Sequence, residues 1–398
     1  MSAVFAASSS HDVVFSKRTI RTRQGVSVRN FYRLLTLSLL VATFVACSTT
    51  DPVETPTRIR KNAKNLTAQE KADFVNAVLK MKQTPSPYNA ELNYYDQFVE
   101  WHLLAFYCVP NDNTHEMYPA HQRPSFLPWH RVYLDMFEKA LKQVSGKDIA
   151  VPYWDWTDPS STAAVFSDDL LGGDGDPSQD YAVTTGPFRK DAWIVRVYDT
   201  RDLEAIFIEE DTDPNVVPYL VRGFGKFKDS TVTLPSIAEL NNTLSISKYD
   251  SAPWDSSVDT AVSFRNSLEG WRHTAGDTCN EGFMDVKWTP TKRSQMHNVV
   301  HLWTGGVIKT NGQIIGGNMT TDTSPNDPAF WLHHANIDRI WTAWMNRHGR
   351  VYEPVTGGPK GSNLNDVMKP WGMRTDGKNT PNSVLEHSVL NYDYDAVP

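Results

Sequence analysis

Twelve histidines occur in the 398-residue chain, and six of them fall into two separated trios. His102 follows Phe-Val-Glu-Trp, His121 lies nineteen residues further on, and His130 comes nine after that. In the C-terminal half His297 and His301 stand four apart, and His334 follows thirty-three residues later. Residues four apart on a helix share a face, with Cβ atoms about 5–6 Å apart. One rigid helix can therefore offer two ring nitrogens to a single ion, and the third must come from elsewhere. Neutral imidazole suits copper, zinc, iron and nickel. The zinc-protease motif requires Glu directly after the first His as general base, and the residue here is Asn298. A lone histidine on an aromatic-rich helix is more often a packed core residue than a ligand. Two complete trios in one chain point instead to two metal ions. His115, in the polar run NDNTHEMYP, competes with His121 on position alone, and His273, His348 and His387 read as surface residues.

Ligands so far apart in sequence need rigid elements to bring them together. Thr67 opens a capping box, TAQE, ahead of an apolar stripe of Phe74, Val75, Val78, Leu79 and Met81. Further helices are predicted over about Leu92–Tyr107, Trp129–Val144, Thr291–Trp303 and Asp327–Asn346. In the second of these Val132, Met136, Phe137, Ala140 and Leu141 recur at helical spacing. Between the two helix pairs, about Ser145–Val262, the chain is rich in Asp, Gly, Pro and Ser, which predicts loop with small sheets. Asp338 and Arg339 read either as a buried pair orienting the last helix or as a solvated face. Residues 58–398 show no repeat and no long linker, so they are read as one domain.

The N-terminus is different in kind. Before residue 34 there are six basic residues and a single acid, followed by a charge-free apolar run from Leu34 to Ala46. Thirteen residues are too few to span a bilayer but suit the apolar segment of an export signal. Ala46-Cys47 resembles the cleavage and lipidation site of bacterial lipoproteins, with Ser/Thr/Pro-rich residues 48–57 as a tether, although Phe44 leaves simple cleavage open. The expectation is an exported protein, touching a membrane only through a lipid at Cys47. No apolar run approaches the roughly 20 residues of an ordinary spanning helix. Without residues 1–46 the net charge falls from −7 to −12, which argues against a nucleic-acid partner. Cys108 and Cys279 are too few for a disulfide scaffold, and their pairing is open.

Taken in order, FVEWH, AHQRPSFLPWHR, VPYWDWT, FRNSLEGWR, MHNVVHLWTGG and SPNDPAFWLHHANIDRIWTAW resemble the central domain of tyrosinases, the type 3 copper oxidases. The resemblance covers about Arg58 to Tyr394. It implies a mainly α fold, a four-helix bundle holding a dinuclear copper site, with long loops and minor β. It further implies that His102, His121 and His130 ligate the first copper and His297, His301 and His334 the second. His333 is set aside, because successive helical residues point about 100° apart. The implied activity is O2-dependent ortho-hydroxylation of monophenols, oxidation of o-diphenols to o-quinones, or both. An o-aminophenol oxidase and a haemocyanin-like O2-binding protein are the alternatives. Glu269 and Asn298 match the family pair that holds a water able to deprotonate an incoming phenol. A thioether crosslink is not expected, since Pro119 stands where members with it carry Cys. Four residues follow Tyr394, so no C-terminal shielding domain is expected, which favours an enzyme over a carrier. Two segments, about Thr274–Ser294 and Val307–Gly317, are longer than in short bacterial members and are candidates for the substrate entrance. Leu302 leaves no charge beside His301 to steer carboxylated phenols. The oligomeric state is not legible.

Overall fold

Local capping decides where most of the helices begin. In the computed structural model, which describes residues 58–106, 120–198, 217–270, 296–310 and 312–398, α1 spans Ala68–Lys82. Thr67 accepts from the backbone of Glu70 while the Glu70 side chain accepts from the backbone of Thr67, so two orphan donors are satisfied reciprocally. Phe74, Val75, Val78 and Met81 on its inner stripe are buried. Asn93 caps α2 (Tyr94–Ala105) by accepting from Asp96 N. Helix α3 (Phe126–Ser145) begins three residues earlier than the sequence suggests. Pro128 lies in its first turn, where a missing N–H costs nothing, so the proline is inside the helix instead of before it. Gly146, at φ 75°, closes α3 with its N–H on Lys142 O.

The long middle stretch is mostly irregular, as expected, and carries two short helices, α4 (Pro159–Val165) and α5 (Ile237–Leu244). Then come α6 (Phe264–Glu269), α7 (Met296–Gly305) and α8 (Ala329–His348). The strands are short: β1 (Arg58–Arg60), β2 (Gly175–Asp176), β3 (Ala182–Val183), β4 (Lys226–Phe227), β5 (Ser230–Thr231), β6 (Val307–Thr310), β7 (Gln313–Gly316) and β8 (Tyr392–Tyr394). The segment Val307–Gly317 is thus a hairpin, β6–β7, joined through β4 to β5 in a four-stranded sheet. Gly306 turns the chain into that hairpin at φ 75°, where a Cβ would stand 2.3 Å from Gly223 O.

Helix α3 packs against α1 and α8, and α8 against α7. Phe137 of α3 lies flat on Trp331 of α8, centroids 3.6 Å apart and planes 7° apart. Around them Tyr95, Phe98, Tyr133 and Phe330 complete an aromatic core. A buried cation ties the irregular middle to the residues just ahead of α8. Arg222 donates through Nε and Nη2 to both oxygens of Asp327, each 2.7 Å, and through Nη1 to the carbonyls of Leu171, Gly172 and Gly173.

At the ends of this unit the usual burial pattern inverts. Strand β1 turns Arg58 and Arg60 inward and Ile59 outward, and pairs in parallel with β8. Arg60 donates to Glu138 at 2.8 Å and to Asp338 at 3.0 Å, while Arg131 reaches Asp338 at 2.6 Å. Tyr392 and Tyr394 donate to the same carboxylate. Flanking cations and phenol hydroxyls lower the Asp338 pKa despite burial that opposes it. Asp338 and Arg339 are therefore both buried, but they are not a pair. Arg339 turns instead to Asp155 at 3.3 Å and Ala396 O at 2.6 Å, because neighbours on a helix point about 100° apart. His387, expected at the surface, is buried against Tyr392 and Tyr394, and His348 is half-buried with Nε2 2.9 Å from Leu244 O. Residues 1–57 with Cys47, and likewise Cys108, His115, Pro119, His273, Thr274–Ser294 and Cys279, lie outside the described residues. No described helix is long and apolar enough to cross a membrane.

Candidate metal centre

The two histidine trios converge in the bundle core. His102 on α2, His121 in the turn before α3 and His130 on α3 form one cluster, with ligand-capable atoms within 4.8 Å of one another. Nε2 of His121 approaches Nε2 of His102 to 3.1 Å. His297 and His301 on α7 form the second with His334 on α8, and Nε2 of His297 lies 3.3 Å from Nε2 of His334. The clusters meet face to face. His130 stacks on His334 with centroids 4.1 Å and planes 11° apart, and His121 stands 5.6 Å from His297.

Four of these rings have one nitrogen committed to the protein. Nδ1–H donates to Asp322 O at 2.6 Å from His102, to Phe126 O at 2.9 Å from His130 and to Met319 O at 2.7 Å from His301. His297 donates from Nδ1 to Asn298 Oδ1 at 2.8 Å. Such bonds fix the tautomer and leave Nε2 as a lone-pair donor, the usual arrangement around ligating histidine. Burial holds the rings neutral. It lowers His102 to about 3 and His301 to about 4, and it pushes His121, His130, His297 and His334 well below the ordinary imidazole value, helped by neighbouring imidazoles. Nε2 of His130 is buried with no hydrogen-bond partner. A buried ring nitrogen left so is costly unless something else fills it, and a soft or borderline cation shared by neutral nitrogens fits.

His333 is a residue that sequence reasoning set aside. It belongs to the second cluster, stacked on His297 at 5.0 Å, and neither ring nitrogen makes a hydrogen bond of good geometry. The i,i+1 argument holds for direction along the helix, but both rings turn toward α7. The sequence also did not single out Phe330, which packs on His334 at 4.1 Å and on His102 at 4.9 Å and so walls both clusters. Its position four residues before His334 was a readable signal.

Glu269, the last residue of α6, is fully buried. Its Oε1 accepts from Gln122 N at 2.6 Å and stands 3.3 Å from His121 Nδ1, while Oε2 accepts from Arg265 at 3.0 Å. Asn298 is buried beside His297. Leu302 packs with Val232, Val299 and Val307 in a small satellite core.

Fold and site together define a helical protein with a dinuclear, all-imidazole metal centre. Residues 92–347 match the common central domain of tyrosinase. The chain is 37% identical over 342 residues to a tyrosinase of Streptomyces glaucescens, spanning 85% of this chain and 98% of that one. It is 35% identical over 350 residues to a grixazone synthase of Streptomyces griseus subsp. griseus, spanning 85% and 99%. A polyphenol oxidase variant of Thermothelomyces thermophila shares the fold with a TM-score of 0.56 at 21% identity, over 85% of this chain and 89% of that one. The chain belongs to the tyrosinase family. It is a type 3 copper oxidoreductase that acts on phenolic substrates with O2, and its two histidine clusters fit one copper ion each.

Proposed function

We propose that the chain hydroxylates monophenols ortho to their oxygen and oxidises o-diphenols to o-quinones. In this reading His102, His121 and His130 hold the first copper, and His297, His301 and His334 hold the second. The observation that carries it is the face-to-face approach of two buried clusters of neutral imidazoles, with His130 stacked on His334 at 4.1 Å. Bound there, the copper pair supplies the two-electron chemistry of O2 and phenol. The protein does the rest. Carbonyls of Asp322, Phe126 and Met319 orient three rings, and Phe126 and Phe330 line them with apolar surface. Glu269 and Asn298 hold a water that takes the proton of an incoming monophenol. Asn298 Oδ1 is committed to His297, which leaves the amide NH2 to donate to that water. A diphenol is more acidic and easier to oxidise, so it depends less on this pair.

The test is a comparison of initial rates on tyrosine, catechol and o-aminophenol with copper-loaded protein. Quinone formation from tyrosine supports the reading, and Glu269→Gln lowers that rate more than the rate on catechol. Turnover of catechol or o-aminophenol with none of tyrosine overturns the hydroxylase part. Failure on all three with two coppers bound overturns the whole. The basic n-region, the short apolar run and Cys47 support export with a lipid at Cys47, and the intact mass of protein recovered from its host decides it.

A further inference from the structure

We infer that Glu269 is also a positioning residue for the first cluster, a latch that holds the loop-borne His121 in place. The inference rests on His121 being a ligand, as proposed above. Of the six histidines His121 alone sits in a turn, not on or at the start of a helix, so no helical backbone fixes it. The residue after it, Gln122, is held at φ 57°, a left-handed conformation that a non-glycine residue keeps only when its surroundings impose it.

The surroundings that impose it come from one segment on the far side of the chain. Glu269 Oε1 accepts the Gln122 N–H at 2.6 Å, and Ser256 donates from Oγ to Gln122 Oε1 at 3.2 Å. The same carboxylate oxygen faces His121 Nδ1 at 3.3 Å. Glu269 is itself fixed from behind. Arg265 donates to Oε2 at 3.0 Å, to Asp250 at 2.9 Å and to Asp255 O at 2.9 Å, and Ser263 donates to Asp250 at 2.8 Å. All of these side chains are buried except that of Asp255, which takes part only through its carbonyl.

Four other rings place Nδ1–H on neutral oxygens, three of them backbone carbonyls. His121 Nδ1 has no such oxygen bonded to it: the Glu269 carboxylate stands 3.3 Å away and holds the ring's loop through the Gln122 N–H instead. Losing a group that orients a ligand from behind typically costs about 10–100-fold in metal affinity. Residues 250–269 in the second half of the sequence thereby set the strength of a site whose ligands all lie in the first half. The first copper, not the second, depends on Glu269.

The experiment is a Cu(I) titration of the whole chain against a chromogenic Cu(I) chelator, for wild type, Glu269→Gln, His121→Ala and the double variant. One of the two affinities is expected to fall 10–100-fold in Glu269→Gln with the other unchanged. His121→Ala is expected to weaken that same site, and the double variant to bind no more weakly than His121→Ala alone. Should Glu269→Gln fail to fold because Arg265 loses one of its two carboxylates, Arg265→Gln/Glu269→Gln is read in the same way. Unchanged affinities, equal weakening of both sites, or additive losses in the double variant overturn the latch. A Glu269→Gln protein that keeps both affinities but loses tyrosine hydroxylation overturns the latch and leaves the proton-handling role standing. A wild type that binds two coppers yet oxidises no phenol refutes the proposed activity without touching the latch.

Discussion

Removing copper should leave a protein that buries seven neutral imidazoles and is therefore sensitive to acid. His102 is lowered to about 3 and His301 to about 4, and His121, His130, His297, His333 and His334 are held well below the ordinary imidazole value, each first by burial. In the unfolded chain the same rings titrate near 6.5. Between those limits the unfolded state binds more protons, so stability is full above about pH 6.5 and is lost as pH falls toward the folded values. At pH 5.5 each ring favours unfolding by roughly 1.4 kcal/mol, and seven together set an upper bound of about 10 kcal/mol. Whole domains are stable by only about 5–15 kcal/mol. Copper-free protein should lose most of its urea resistance between pH 7.5 and 5.5, read by circular dichroism at 222 nm. Cu(I) at a thousandfold excess over its dissociation constant restores about 4 kcal/mol per site, about 8 kcal/mol for two. A copper-free urea midpoint that stays level across that interval would refute the reasoning, because the buried rings would then have to be charged or paired.

The remaining expectations concern single residues. Asp338→Ala leaves Arg60 and Arg131 buried without their shared carboxylate and should cost about 3–5 kcal/mol in urea unfolding. Gly306→Ala forces a Cβ to 2.3 Å from Gly223 O at φ 75°, so its thermal midpoint should fall by several degrees, whereas Gly312→Ala, which meets nothing within 4 Å, should fall less. Asn298→Ala should lower the tyrosine rate relative to the catechol rate while two coppers stay bound, measured by initial rates and metal analysis together.

What the sequence disclosed was what repeats locally. The spacing of His297 and His301 and the stripe from Phe74 to Met81 are short-range patterns, and both lie where that spacing puts them. The start of α3 was misplaced because a proline reads as a boundary until its position in the first turn is known. Asp338 and Arg339 were read together because they are adjacent, yet their partners Arg60 and Asp155 lie 278 and 184 residues away. The carbonyl that orients His102 was illegible for the same reason. Asp322 O meets His102 across 220 residues, and any residue type would supply that oxygen. His333 was discounted on angular grounds that hold along an ideal helix but not for side chains that both turn toward α7.

The central claim is that two neutral tri-imidazole clusters each hold one copper. Metal analysis of Cu(I)-loaded, desalted protein tests it most directly when wild type is set beside His130→Ala and His301→Ala. The account requires two coppers per chain in wild type and one in each variant; one or none in wild type, or two retained in both variants, would contradict it.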